Sequence, residues 1–324
     1  MLSAAPVVLT MEQSPAAEPP DFQHDPVMLE EILDAFDEAP SGVIADLTLG
    51  GAGHATATLD RRADIVVHGF DRDEIALASA GEQLAPYGAR AVLHKTRFDM
   101  AAHLLSQATI PEVSGFLMDL GVSSPQLDVA ERGFSYRADG PLDMRMDNGQ
   151  TRTAADIVNN YAPGELLDVL RSYGDERHAG RIVDAIVAAR PLTTTTALAT
   201  LVADAIPAAA RRKSTGHPAK RTFQALRIEV NDELSILGDT IDSMISLLAP
   251  GGVGLVLTYH SGEDRIAKDR MRTAIDAGAL PGMPATSDFE WFFRGAKTAS
   301  DSELERNPRA RSARLRAIRK RKKP

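Results

Sequence analysis

The chain has 324 residues, of which 44% are hydrophobic and 25% charged, with a net charge of −9, and this composition is typical of a soluble globular protein with one large or two modest domains. It contains no cysteine, which excludes disulfides, thiolate metal sites and every mechanism with a sulfur nucleophile. No apolar run approaches the roughly eighteen residues that cross a bilayer, so we expect a cytoplasmic protein without a membrane partner.

The first part of the chain alternates short apolar runs with helical patterns after a polar leader. Residues 1–22 are rich in Ala, Pro and Glu without periodicity, which predicts a disordered leader. An amphipathic pattern then predicts a helix from His24. Apolar runs that predict strands follow at 43–47, 65–70, 91–94 and 115–119. This alternation favours an α/β fold with a mostly parallel sheet and crossover helices.

The alternation stops at about residue 129. Apolar residues then recur at helical spacing as far as residue 217, which predicts several helices and no strand. A further helical pattern over 223–248 ends at Pro250, and 253–258 has the pattern of a buried strand. We therefore predict a core whose first part spans 23–128, an all-helical insertion for substrate recognition at 129–217, the second part of the core at 218–319 and a basic tail at 320–324.

The C-terminal region carries an unusual share of the basic charge. Residues 306–323 hold ten Lys or Arg and no acid, which leaves about −19 on the remainder of the chain. A local basic arm on an acidic body suggests a directed contact with phosphates, although a solubilising tail explains it equally well. Apolar and basic residues alternate over 313–318, which predicts a half-exposed edge strand.

A glycine-rich turn follows the first predicted strand. The strand runs into Asp46 and then into Gly50, Gly51 and Gly53. Glycines at such a turn let the backbone approach a ligand closely because no Cβ intervenes. Asp71 ends the next strand about twenty residues further on, a spacing that suits a carboxylate accepting hydrogen bonds from ribose hydroxyls.

Two cofactors compete for this turn, a dinucleotide and S-adenosylmethionine. The glycines miss the G-x-G-x-x-G register, and Asp46 stands where it would repel a pyrophosphate but suits the cationic amino-acid end of a sulfonium cofactor. We therefore favour S-adenosylmethionine. The alternative is a tight turn without a ligand, in which Asp71 caps the next helix beside Asp73 and Glu74.

Three further positions are candidates by their place after strands. Phe98 follows the third strand, where it packs either on an adenine ring or in the core, and His54 is either a ligand or a helix-start residue. The strand 115–119 ends in Asp119 and a turn that contains Ser123, Ser124 and Pro125. Open α/β sheets place ligands at the carboxyl ends of their strands, so the aspartate and this turn are the candidate catalytic residues.

Several spaced motifs closely resemble the bacterial 16S ribosomal RNA (cytosine-N4)-methyltransferases, the MraW or RsmH family. The motifs are DLGVSSPQLD from Asp119, GFSYRADGPLDMRMD, HDPVML, YGDER, HPAKRTFQALRIEVN, HSGEDR and NPRARS. Together they extend from His24 to about residue 319. Two departures are visible: Gly262 replaces the usual leucine, which predicts a less rigid loop, and Tyr259 stands where phenylalanine is common.

The resemblance implies a class I S-adenosylmethionine-dependent methyltransferase core, Rossmann-like, with a helical insertion. It also implies 16S ribosomal RNA of the small subunit as the substrate. By position in the family motifs, the residues expected to contact the cofactor are Ala52, Gly53, His54, Asp71, Phe98, Asp119 and Gln126.

The chemistry of such an enzyme suits the turn after Asp119. Cytosine N4 is a poor nucleophile, so the enzyme must hold the amine in line and accept its proton. Methylation at C5 usually needs a cysteine, which this chain lacks. The turn is similar to the Asp/Asn/Ser-Pro-Pro-aromatic loop of DNA amino-methyltransferases. We expect Asp119 or a serine of the turn to orient N4, with Asp119 or water as proton acceptor; the alternative keeps Asp119 only as a cofactor ligand or loop cap.

Two basic clusters are candidates for RNA contacts. Lys220 and Arg221 follow a run of cations at 211–213, and Arg309 and Arg311 precede a third arginine, Arg314. Phosphate contacts of this kind fix position, while the target base must leave the RNA stack to reach a pocket. The alternative is that these side chains form solvated helix and strand faces.

Other functions stay open on the residues alone. The core fits a DNA or small-molecule amino-methyltransferase, and a non-catalytic RNA-binding ribosome assembly factor could retain the fold. No HExxH, His/Asp ligand cluster or GxxxxGK[ST] motif occurs, so neither a metal nor a nucleoside triphosphate is indicated.

Overall fold

One seven-stranded sheet organises the part of the chain that the computed structural model describes, residues 26–213, 216–278 and 287–322. The predicted leader lies outside the described residues. The strands are β1 Gly42–Asp46, β2 Ile65–Asp71, β3 Ala91–Lys95, β4 Val113–Asp119, β5 Leu248–Thr258, β6 Phe289–Trp291 and β7 Arg314–Lys320.

The strand order is β3-β2-β1-β4-β5-β7-β6. Strands β1 to β5 pair in parallel, whereas β7 runs antiparallel to both β5 and β6. The order therefore reverses direction between β1 and β4, and ligands of open α/β sheets bind outside the carboxyl ends of the strands at such a switch point. Asp46 and Asp119 end these two strands. The predicted α/β fold with a mostly parallel sheet is confirmed.

Helices cover both faces of the sheet and form a separate cluster between β4 and β5. They are α1 Leu29–Asp37, α2 Gly53–Arg61, α3 Glu74–Leu84, α4 Ala101–Gln107, α5 Ser124–Asp128, α6 Ala154–Asn160, α7 Pro163–Ser172, α8 Ala179–Ala189, α9 Thr195–Ala205, α10 Ala208–Lys213, α11 Lys220–Asn231, α12 Leu237–Ser246, α13 Ser261–Asp276 and α14 Asp301–Arg306. Within the described ranges, no helix is both long and apolar enough to cross a membrane.

Three groups of buried apolar side chains make up the core. One group lies between the sheet and α1 to α3, and a second between the sheet and α4, α12 and α13. The third group joins α6 to α9 and includes Ala219, Phe223 and Val230 from the α11 region. Because α11 packs with these helices, the boundary predicted at residue 217 does not coincide with a break in packing.

The structure corrects the predicted elements at several places. The helix expected over 223–248 is two helices, since Asp232 adopts a left-handed conformation with φ 53° and ends α11. Pro250 does not end a helix but lies inside β5. The short strand β6 was not predicted, and because it pairs with β7, the strand predicted at 313–318 is a largely buried interior strand rather than a half-exposed edge strand. β7 also includes Lys320, so the predicted tail at 320–324 begins inside a strand.

Candidate active site

Two carboxylates lie close together where the strand order reverses: Asp46, which is buried, and Asp119, which is partly exposed. Thr48 connects them: its N–H donates to Asp46 Oδ1 at 3.2 Å, and its Oγ1 accepts the N–H of Asp119 at 2.6 Å. Burial raises the pKa of Asp46 and that of Asp119 to about 7 in each case. Both groups therefore change protonation near neutral pH, and a cation placed beside either one would favour its ionised form.

The glycine-rich turn is held to the end of β2 by a carboxylate. Gly50 has φ +50° and donates its N–H to Asp71 Oδ2 at 2.9 Å, so here the left-handed backbone does require glycine. Gly53 is needed for a different reason. A Cβ at that position would lie 2.6 Å from Cγ of Pro26, which means that packing rather than ligand approach excludes a side chain there. Ala52 carries a left-handed φ of 64° at the N-cap of α2.

Asp71 and Asp73 have separate roles at the end of β2. Asp71 Oδ1 accepts the N–H of Asp73 at 2.8 Å, and burial raises the pKa of Asp71. Asp73 is the residue that caps α3, because its Oδ1 accepts the N–H of Ile75 at 3.1 Å. Asp73 rather than Asp71 therefore caps the helix, and a ligand role for Asp71 stays a prediction.

Asp73 also accepts hydrogen bonds from two side chains that follow β4 in the chain. Its Oδ2 accepts hydrogen bonds from Gln126 Nε2 at 3.0 Å and from Arg132 Nη2 at 2.8 Å. All three side chains are buried. The amide oxygen of Gln126 in turn accepts the N–H of Ser123 at 3.1 Å. Both ends of Gln126 thus hold the turn in place, and its direct contact with a cofactor stays a prediction.

Asp119 has one strong partner of its own. The Tyr259 hydroxyl donates to Asp119 Oδ1 at 2.8 Å, and burial together with Asp119 raises the pKa of this tyrosine. Oδ2 accepts no hydrogen bond from the described residues and lies 3.8 Å from His54 Nδ1. His54 is buried with its Nε2 3.0 Å from the Val27 carbonyl oxygen, and burial lowers its pKa.

The turn after β4 contains a buried hydroxyl group that makes no hydrogen bond within the described residues. Ser123 Oγ is buried and has no hydrogen-bond partner within the described residues. A buried polar atom without a partner costs about 1–3 kcal/mol, so a ligand that donates to this oxygen would relieve a real penalty. The side chains of Ser124 and Pro125 lie outside the described part of the structure, and their predicted roles stay predictions.

Phe98 starts a short 3-10 turn directly after β3. Its half-buried side chain packs on the core cluster below α4 and α12. The structure therefore supports the core interpretation for one side of the ring, while an adenine contact on the other side stays a prediction.

The four predicted RNA-binding cations are not equivalent. Lys220 and Arg311 are exposed. Arg221 is exposed too, and its Nη1 donates to the Asp175 carbonyl oxygen at 2.7 Å. Arg309 Nη2 lies 3.0 Å from Asp128 Oδ1 at the end of α5, so this arginine ties the C-terminal region to the turn after Asp119.

The segment from Gly133 to Asp147, which was a family marker without an assigned role, forms the joint between the sheet and the helical cluster. Arg132 donates to the carbonyl oxygens of Arg145 and Met146, at 3.0 and 3.2 Å. Asn231 at the end of α11 receives the Met146 N–H at 2.9 Å and donates to the Met144 carbonyl at 2.8 Å. These contacts give the segment a structural function.

Three residues of the site were missed or undervalued in the sequence. Thr48 and Arg132 gave no signal, since the bond from Asp119 to Thr48 and the bond from Arg132 to Asp73 join residues that are distant in the chain. Tyr259 was noticed only as a departure from the family, yet its hydroxyl contacts Asp119. The other departure, Gly262, lies in the first turn of α13 and donates its N–H to His260 Nδ1 at 3.2 Å, so it belongs to a capped helix rather than to a loose loop.

Comparisons with known proteins cover nearly the whole chain. A family model described as the MraW methylase family matches residues 21–321. The ribosomal RNA small subunit methyltransferase H of Mycobacterium sp. (strain KMS) is 47% identical over 312 residues, which span 92% of this chain and 84% of that protein. Proteins of the same name are 47% identical in Mycolicibacterium smegmatis, with 93% and 85% covered, and 48% identical in Thermobifida fusca, with 93% and 94% covered.

Proposed function

We propose that this chain, which belongs to the MraW methylase family, methylates the exocyclic N4 amine of a cytidine in 16S ribosomal RNA of the small subunit. The family, the class I methyltransferase fold and the cofactor predicted from the sequence are confirmed, and the chain is an S-adenosylmethionine-dependent methyltransferase. The names of the relatives refer to ribosomal RNA of the small subunit. The N4 position, the assembled subunit as substrate and a cytoplasmic location are our proposal.

The residues at the strand ends fit S-adenosylmethionine. The backbone of the turn from Gly50 to His54, the carboxylate of Asp71 and the ring of Phe98 would hold its nucleoside part, and Asp46 suits its ammonium group because a cation would favour the ionised carboxylate. When bound, the cofactor would supply a methyl group on a sulfonium: an amine nitrogen would form a bond to the methyl carbon while the carbon–sulfur bond breaks and S-adenosylhomocysteine leaves. No cysteine is present to form a covalent enzyme intermediate.

A single feature favours an exocyclic amine as the acceptor. An amine presents two N–H donors, and two oxygens near the end of β4 accept no hydrogen bond from the described residues: Oδ2 of the partly exposed Asp119 and the buried Oγ of Ser123. Hydrogen bonds to these oxygens would orient the nitrogen lone pair away from the protein and toward the methyl group. A carbon nucleophile such as cytosine C5 presents no such donors.

Asp119 is also suited to take the proton that the amine loses. Its pKa of about 7 lies near the working pH, where a general base is most effective. The Tyr259 hydroxyl occupies Oδ1 and thereby directs Oδ2 to the acceptor. The non-catalytic alternative does not explain why Asp119 Oδ2 and Ser123 Oγ accept no hydrogen bond within the described residues.

The substrate class is tested by offering RNA, DNA and a free nucleoside in parallel. We expect labelled methyl from S-adenosylmethionine to appear in the RNA of unmodified small subunits and not in duplex DNA or free cytidine. Transfer mainly to DNA or cytidine would favour the amino-methyltransferase alternatives. Absence of transfer to all three, with cofactor binding intact, would favour the assembly factor.

The proposed phosphate contacts predict a strong salt dependence. Raising the salt concentration should weaken RNA binding, because each released counterion adds to the slope of log K against log salt, whereas the affinity for the cofactor should change little. Filter binding of small-subunit RNA and equilibrium dialysis of the cofactor at several salt concentrations measure the two slopes. An RNA affinity that does not respond to salt would reject the basic clusters as contacts.

A further inference from the structure

One concave surface is lined in part by Tyr259, the residue whose hydroxyl donates to Asp119. It has a volume of about 440 Å³ and lies between the start of α13 and the region that leads into β7. Its lining includes Tyr259, Ser261, Asp264, Arg311, Ser312 and Arg314. Cavities of several hundred Å³ are the size in which proteins bind small groups such as a mononucleotide. We call this surface the arginine pocket.

The charge of the arginine pocket is positive. Arg311 and Arg314 are exposed, and neither guanidinium has an ion-pair or hydrogen-bond partner in the described ranges. The Asp264 carboxylate on the pocket wall is neutralised by Arg316, whose Nε and Nη2 lie 2.7 and 3.0 Å from its two oxygens. The pocket thus keeps two unpaired cations while its own acid is already paired.

The start of α13 brings both partial positive charge and carboxylates to the pocket, so the preference for an anion depends on the two arginines. This helix has sixteen residues and begins at Ser261, so its dipole places partial positive charge at the pocket. Two carboxylates outside the pocket wall also lie at this end: Glu263 Oε2 accepts the N–H groups of Tyr259 and His260 at 2.8 and 3.3 Å, and Asp175 Oδ2 accepts the Ser261 hydroxyl at 2.8 Å. Arg221 is bonded to the backbone of that same aspartate and supplies a further cation nearby.

The position of the arginine pocket connects it to the proposed reaction. The Tyr259 side chain belongs to its wall, and the hydroxyl of this residue donates to Asp119 Oδ1. A nucleotide whose base amine reaches Asp119 would therefore carry its sugar and phosphates past Tyr259. Gly121, with φ +112°, would place any Cβ 3.3 Å from the Tyr259 ring, so the turn and the pocket wall are in direct contact.

We propose that the arginine pocket binds a backbone phosphate next to the target nucleotide, with Arg311 and Arg314 as its ligands. This inference rests on the proposed function, because it takes the nucleotide whose base faces Asp119 as the methyl acceptor. It adds a specific anchoring site to the general attraction between the protein and RNA. Arginine is well suited to the role, since its planar guanidinium makes paired hydrogen bonds to phosphate oxygens.

The test compares nucleosides with their monophosphates in the full-length protein saturated with S-adenosylhomocysteine. Cytidine, its 5′- and 3′-monophosphates and the matching uridine compounds are titrated by NMR. We expect one of the two monophosphate isomers to bind roughly tenfold more tightly than the nucleoside for both bases, because the pocket recognises phosphate and not the base. The gain should vanish in the double variant Arg311→Ala/Arg314→Ala.

A control variant removes an arginine just beyond the opposite end of β7. Arg321→Ala should retain the full gain in affinity of the monophosphate over the nucleoside. The affinity for S-adenosylhomocysteine should be equal in all variants. Equal binding of nucleosides and monophosphates by the unmodified protein, or a gain that survives in the double variant, would overturn the proposal. Failure of the proposed function gives a different result: the phosphate gain persists, but cytidine is not preferred over uridine and no methyl is transferred to RNA.

Discussion

Replacing Asp119 with asparagine is expected to lower the turnover number by a factor of roughly 10²–10⁴, the range over which general acid–base groups contribute. Asparagine keeps the shape of the side chain and still accepts the Tyr259 hydrogen bond, but it cannot take a proton from the amine. Cofactor binding should therefore change little. Single-turnover kinetics at saturating S-adenosylmethionine measure the chemical step separately from binding.

The pH dependence gives the same prediction a second readout. Burial raises the pKa of Asp119 to about 7, so at lower pH the carboxyl group is protonated and cannot act as a base. Turnover should rise about tenfold per pH unit below pH 7 and level off above it, and Asp119→Asn should lose this dependence.

A suitable control is Tyr259→Phe, which removes only the hydrogen bond to Oδ1 and leaves the carboxylate. Near-normal turnover of Asp119→Asn with intact cofactor binding would reject Asp119 as proton acceptor and leave it as a ligand or loop cap.

Replacing Arg132 with alanine is expected to lower the free energy of unfolding by about 3–5 kcal/mol, which is typical when one partner of a buried ion pair is removed. The change leaves the carboxylate of Asp73 buried and without its charged partner, and it deletes the bonds to the carbonyl oxygens of Arg145 and Met146. Denaturation by urea at neutral pH measures the loss.

An exposed ion pair serves as the control for this effect. Arg270 contacts Asp239 and Asp242 on the surface, and Arg270→Ala should cost only about 0.2–1 kcal/mol. If Arg132→Ala is no more destabilising than Arg270→Ala, the joint between the sheet and the helical cluster does not depend on this ion pair.

The carboxylates of the site were predictable because the chain marks them locally. Asp46, Asp71 and Asp119 each end an apolar run, and the alternation of strands and helices places such ends at one edge of a parallel sheet. The same regularity made the sheet itself predictable. The role of Asp73 as the helix cap needed the structure, because Asp71 and Asp73 have nearly the same position relative to the helix start.

Contacts between distant parts of the chain were not predictable. The bond from Tyr259 to Asp119 spans 140 residues, and that from Arg309 to Asp128 spans 181. For the same reason α11 could not be distinguished from a longer helix. Its end at Asp232 coincides with the bonds that Asn231 makes to the segment after Arg132, far away in sequence. The position of Pro250 inside a strand was not predictable either, because its neighbours in β5 pair with β4, more than a hundred residues earlier in the chain.

The central claim, methylation of cytidine N4 in 16S ribosomal RNA, is tested most directly by the identity of the product. The protein is incubated with labelled S-adenosylmethionine and unmodified small subunits, the RNA is digested to nucleosides, and the labelled nucleoside is identified and mapped. The account predicts N4-methylcytidine at one position of the 16S RNA. Label in 5-methylcytidine, in a ribose-methylated nucleoside or in a base other than cytosine would contradict it.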